Sequence, residues 1–238
     1  MVEMYPFKSI DSAMRPFGLS PVGPPSNPTP QPTVFHDGRL GGWISPWLMS
    51  RANEATVCRT YGLFNGTWGD KFSYREYKAH GGWLMCHINS LGLKFFGMCL
   101  AIPPLRWLLK QFGPNPGTGP TEEILQNGKY ALKILAETDE PEPKVGMITV
   151  STERDIGYLL SGICQIYPRI LTAVSLGMML VEAGLTMAHD VKKTKAWDLF
   201  FKNGEKESVV LTPALLGDVL KDRINAGGVH FSDVEFLQ

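Results

Sequence analysis

The chain has 238 residues, enough for one large domain or two small ones with a substantial buried core. Lysine plus arginine equals aspartate plus glutamate at 23 each, so no whole-molecule field draws it to nucleic acid, and no nucleic-acid partner is expected. Hydrophobic residues make up 44% and charged residues 19%, which sets the chain on the apolar side of the globular range.

The N-terminus, MVEMYPFK, carries an acid early and no apolar run, so no secretory signal is expected and the protein reads as cytoplasmic. Phe7–Met14 (FKSIDSAM) reads as a short helix. Gly18–Thr33 holds six prolines and reads as extended polyproline II. Residues 1–40 are therefore expected to form an extended proline-rich segment, and residues 41–238 a single α+β substrate-binding-type domain. Ala55–Phe64 (ATVCRTYGLF) is rich in β-branched and aromatic residues and predicts a strand.

Phe72–Tyr77 (FSYREY) leads into the longest apolar stretch, Gly81–Phe112. Its charges are Lys94, Arg106 and Lys110, Pro103-Pro104 breaks it, and its charge-free runs fall short of the roughly 18 to 20 residues that span a bilayer. A buried core helix is the leading expectation. Peripheral contact with a membrane or lipid surface is the alternative, favoured by Trp83, Trp107 and the flanking cations.

Gly113–Pro120 (GPNPGTGP) is a loop, and Thr121-Glu122-Glu123 offers a cap and acidic first turn for a helix running to Ala136. Glu137–Pro143 is a solvated connector and Val145–Ser151 the clearest strand. Leu159–Ala188 has helical spacing from about Pro168, and Ser208–Leu211 reads as a short strand. Thr212-Pro213 opens a last helix, closed by Gly227-Gly228 in the manner of a glycine C-cap.

Gly117-Thr118-Gly119 invites a phosphate-loop reading, but prolines flank it and no strand feeds it. Neither GxGxxG nor GxxxxGK[ST] occurs, so no cofactor is expected. The cysteines Cys58, Cys86, Cys99 and Cys164 are irregularly spaced without a CxxC pair, which predicts free thiols. His80 and His87 lie seven apart, where a metal pair would want three or four, so no metal is expected either. His87 is the candidate proton handler, because imidazole titrates near neutral pH. Glu182 interrupts an apolar helix and must either find a partner or have a raised pKa, which makes it the second candidate catalytic residue. Trp83 and Tyr158 are the candidate substrate-binding residues. No GxSxG elbow supports nucleophilic catalysis.

Taken in order, several stretches resemble the saccharopine dehydrogenase-like oxidoreductases, a family that includes trans-acting enoyl reductases. They are Phe17–Thr33 (FGLSPVGPPSNPTPQPT), Phe72–Tyr77, Pro116–Pro120 (PGTGP), Ile156–Ser161 (IGYLLS), Met178–Ala188 (MMLVEAGLTMA) and Val210–Gly217 (VLTPALLG). In that family they follow a Rossmann domain, which has no counterpart in these residues. The resemblance thus implies the substrate-side half, an α+β fold with a mixed or antiparallel sheet covered by helices. It also implies an apolar small-molecule substrate.

Two functions are expected from this. The first is a cofactor-independent cyclase or isomerase, pericyclic and Diels-Alderase-like reactions included, acting on a polyketide or terpenoid-like intermediate of fungal secondary metabolism. Holding a flexible substrate in a reactive shape would itself supply much of the rate. The second is a non-catalytic binding or scaffolding subunit that docks on a partner enzyme or on a second copy of itself.

Overall fold

The computed structural model describes residues 33–112, 127–153, 178–200 and 211–237, together with residues 17, 18, 20, 21, 121 and 123. The expected helix over Phe7–Met14, most of the proline-rich segment and the first part of the Leu159–Ala188 helix lie outside these residues, as does nearly all of the Ser208–Leu211 strand. The chain divides into two compact units, Met1–Gly117 and Thr118–Gln238. Each unit carries its own antiparallel sheet with helices, and the fold is α+β.

In the first unit, β1 (Phe35–Asp37), β2 (Gly42–Pro46) and β3 (Tyr77–His80) pair in the order β1-β2-β3. Gly41 (φ 102°) and Gly42 (φ 114°) take the left-handed backbone that lets the chain reverse between β1 and β2. Asp37 secures that turn by accepting hydrogen bonds from the Arg39 amide (2.9 Å) and guanidinium (2.9 Å). The register sets Trp43 opposite His80 and Ser45 opposite Lys78.

Between β2 and β3 the chain forms α1 (Ser50–Leu63), which includes most of the stretch expected as a strand. The correction has a plain cause. The buried positions Ala55, Cys58, Tyr61 and Gly62 recur three to four residues apart, a helical period that the β-branched residues between them disguise. The loop after α1 folds back on it through aromatic rings: Tyr61 stacks on Phe72 (centroids 4.8 Å) and its hydroxyl donates to the Gly69 carbonyl (3.0 Å). Arg75 pairs with Glu54 at 3.0 Å, and the Asn53 amide donates to Glu76 at 2.8 Å.

After β3 come α2 (Trp83–Ala101) and α3 (Pro103–Phe112), separated at Ile102 where Pro103-Pro104 cannot continue the helix. α2 packs on β2 and β3 and against α3. The expectation of a buried core helix fails here. Cys86, Ser90 and Cys99 are its buried residues, while most of its large apolar side chains are exposed.

In the second unit, β4 (Tyr130–Glu137) pairs with β5 (Val145–Thr152) along its full length. The sequence had suggested helix through Ala136, because Ala, Leu, Lys and Glu favour it. Eight paired positions with β5 override that preference, and Leu132 and Ile148 pack against buried Val150. The strand expected at Val145–Ser151 is present. On the other edge of β5 lie β6 (His230–Phe231) and then β7 (Glu235–Leu237). Ser232 bridges the interruption: its hydroxyl accepts from the Thr149 amide (2.9 Å) and its own amide donates to the Thr149 carbonyl (2.9 Å).

The helices of this unit begin with α4 (Met178–Leu185), which continues as one π-helical turn at Thr186–Asp190 and a 3-10 turn at Val191–Lys193. α5 (Lys195–Phe200) follows. A 3-10 turn at Pro213–Leu216 then leads into α6 (Gly217–Ala226). The expected glycine cap closes α6. Gly228 (φ 102°) donates to Asn225 O at 3.1 Å and Val229 to Ile224 O at 3.3 Å, the two bonds of a Schellman motif. Val229 is buried against Val150 and Ile224, so the cap also delivers a core residue.

Candidate functional site

Two polar residues inside apolar runs, Ser45 in WISPW and Asn89 in HINSL, meet at the junction of β2, β3 and α2. Asn89 Nδ2 donates to Ser45 Oγ (2.9 Å) and to the Pro46 carbonyl (3.1 Å). Since a carbonyl accepts only, that end of the Asn89 amide is the nitrogen. Ser45 Oγ has therefore received its bond from Asn89 and gives its own proton to His80 Nε2, 2.9 Å away. The acceptor must be a neutral ring, and burial, followed by the nearby Lys78 ammonium, pulls the His80 pKa below its ordinary value.

A serine hydroxyl hydrogen-bonded to an imidazole is the first half of a nucleophilic site. Ser45, however, is 0% exposed, so no substrate carbonyl can reach it. The cluster is an anchor that fixes α2 to the sheet. Reading the sequence for motifs missed it, because none of its three residues is close in sequence to another, and the signal was polar residues where apolar ones were due.

Trp83 and His87, two of the four expected site residues, are brought together one turn apart on α2, with ring centroids 4.4 Å apart. His87 Nδ1 donates to the Trp83 carbonyl (3.1 Å), which assigns the ring proton of the neutral form to Nδ1 and leaves Nε2 to face outward from an exposed side chain. Further along, Leu84, Ile88, Leu91 and Phe95 follow at intervals of four, three and four, which lines them up on one face of α2. They are 61%, 54%, 69% and 60% exposed. That face lies opposite the one that Cys86, Asn89 and Ser90 turn to the sheet.

Glu182 lies in the second unit, on α4, and Tyr158 lies outside the described residues. The Glu182 carboxylate has found a partner: Arg223 of α6 reaches it at 3.2 Å and Asp190 at 2.7 Å, and Lys193 completes the row at 2.7 Å from Asp190. Hydrogen bonds from Lys193 and then Arg223 hold the Asp190 carboxyl down to about 2. This arrangement ties α4 to α6 through charge.

Among the described residues no three His, Cys, Asp or Glu side chains converge to hold a metal. Every strand pair described is antiparallel, and no glycine turn links one of these strands to a helix in the way a pyrophosphate needs, so no residue is assigned to a dinucleotide.

Over 229 aligned residues, 90% of this chain, the sequence is 26% identical to two proteins of Mycobacterium tuberculosis, from strains H37Rv and CDC 1551, each described as a "Putative trans-acting enoyl reductase". The alignment takes in 48% of each of them, so the chain spans about half the length of the curated relatives it matches. No family model and no solved structure matches. What this chain is similar to is thus distant and enoyl reductase-like.

Proposed function

We propose that this chain is the substrate-side part of an enoyl-reductase-like protein and handles an apolar, acyl-type substrate. The observation that carries the reading is the similarity to trans-acting enoyl reductases along 90% of the chain. The saccharopine dehydrogenase-like motifs, in the family's order, support it. So does the placement of Trp83 and His87 at the start of a helix whose outer face is a row of exposed apolar side chains.

Reducing an enoyl group adds a hydride to the carbon β to the carbonyl and a proton to the α carbon. The hydride requires a reduced nicotinamide, which no described residue of this chain is assigned to hold. The proton is the part this chain can supply. His87, with Nδ1 committed to the Trp83 carbonyl, presents Nε2 outward and in its protonated form can give that proton to the α carbon and recover it from water. Trp83 lies beside it as a flat apolar rest for the acyl chain.

The test is a fluorescence titration of the full chain with enoyl thioesters of increasing acyl length, followed by turnover with NADPH and a reducing partner. Saturable quenching that tightens with chain length is expected. Trp83→Ala should weaken it about tenfold, or ~1.4 kcal/mol, and His87→Gln should slow turnover while leaving binding unchanged. Absence of saturable binding at every length would remove the proposal. Ring closure of a polyene substrate without any cofactor would instead restore the cyclase expected from the sequence, for which neither the fold nor the similarity offers its own support.

A further inference from the structure

We infer that α2 and α3 together form a docking surface for an anionic phospholipid leaflet, with α2 lying in the plane of the headgroups. This inference stands apart from the proposed function. It rests on the surface alone and holds whatever the chain's substrate is.

α2 is one helix long and apolar enough to cross a membrane by length and composition, yet a span is the wrong geometry for it. Its inner face is bonded to β2 through Asn89, and that sheet has open edges at β1 and β3. Carrying unpaired strand edges into hydrocarbon would strand their amides and carbonyls without partners. A helix held by a sheet on one side and apolar on the other can instead lie flat, with Leu84, Ile88, Leu91 and Phe95 immersed.

The charges identify the surface it meets. Between Trp83 and Phe112 the charged residues are Lys94, Arg106 and Lys110, with no acid among them, although the whole chain balances 23 cations against 23 anions. Lys94 is exposed on the flank of the apolar row, and Arg106 and Lys110 sit one turn apart on α3. Trp107, 63% exposed, lies between those two cations. Cations and indole rings bordering an apolar strip match the headgroup region of an anionic leaflet. A second copy of the chain fits less well, because a two-fold interface through this face would bring equivalent cations together with no acid to offset them.

Flotation of the full chain with lipid vesicles tests this. Vesicles of phosphatidylcholine with about one-third phosphatidylserine should carry the protein up the gradient, and pure phosphatidylcholine vesicles should carry far less. The cation reversal Lys94→Glu/Arg106→Glu/Lys110→Glu should lower the partition into anionic vesicles by about 100-fold. Leu91→Glu/Phe95→Glu should abolish it while circular dichroism shows the fold intact, since both positions are exposed. Brominated lipid should quench the wild-type protein and quench Trp107→Phe less, a readout that does not depend on a disruptive variant.

Failure to float with anionic vesicles overturns the inference, as does equal flotation with both lipids. A lipid-independent dimer that Leu91→Glu/Phe95→Glu dissociates would assign the face to a second copy instead. Enoyl thioester binding that persists when flotation fails would leave the proposed function standing and this inference fallen.

Discussion

At Ser45 a buried hydroxyl with two neighbours has only one consistent arrangement of protons, and that arrangement makes the first unit sensitive to acid. His80 must be neutral to accept from Ser45, and its folded-state pKa lies below the ordinary 6.5 because burial, then Lys78, disfavours the charged ring. Folding thus favours the unprotonated form. The contribution is complete above pH 6.5 and is lost as pH falls through 6.5 toward the lower folded value. Thermal melts of the wild-type chain should drop across that window, and His80→Gln should flatten the decline. Asn89→Ala removes the donor that orients Ser45 and should cost about 1–3 kcal/mol in urea titration. An unchanged midpoint would show that water replaces the amide.

At the scale of elements, the Schellman cap shows how one glycine can place a strand. Gly228 holds φ at 102°, and the turn it makes sends Val229 into the core and aligns His230 and Phe231 with β5. Gly228→Ala should destabilise the second unit by about 1 kcal/mol, since a side chain at that angle is strained even where space is open. Hydrogen exchange should show the loss at β6 and the end of α6 together. A loss confined to α6 would mean that the cap does not position the strand.

This cap was legible in the sequence because Gly-Gly after a helical run has few other uses. Val145–Ser151 was legible for a similar reason, being short, β-branched and bounded by turn residues. α1 and β4 were not. In both, local composition favours one state and the pattern of buried contacts imposes the other, through a period hidden by threonines in α1 and through pairing with a partner strand in β4. The site residues divide in the same way. Trp83 and His87 share a helical turn and so could be read together, whereas Ser45, His80 and Asn89 meet only after two strands and a helix have formed.

For the whole molecule, the informative surface is where apolar side chains face outward. Monomeric proteins rarely expose a large contiguous apolar patch without a use for it. Here the exposed residues of α2 and α3 include Trp83, Leu91, Phe95 and Trp107, while the residues that hold α2 down are small or polar. In Triton X-114 phase separation the wild-type chain should enter the detergent phase, and Leu91→Glu/Phe95→Glu should return it to the aqueous phase. Full recovery of the wild-type in the aqueous phase would show that this surface is covered. Such behaviour suits a protein whose relatives are described as trans-acting, because a substrate-side part that meets apolar chains must present some apolar surface to receive them.

The π-helical turn at Thr186–Asp190 makes the second unit unusually intolerant of a change in length. A wide turn holds one residue more than the surrounding helix needs, and here its last member, Asp190, is the one that grips Arg223. Deleting any single residue from that turn would wind it back to α-helix and swing Asp190 about 100° around the axis. Glu182, on the near side of the turn, would keep its hold on the same guanidinium alone.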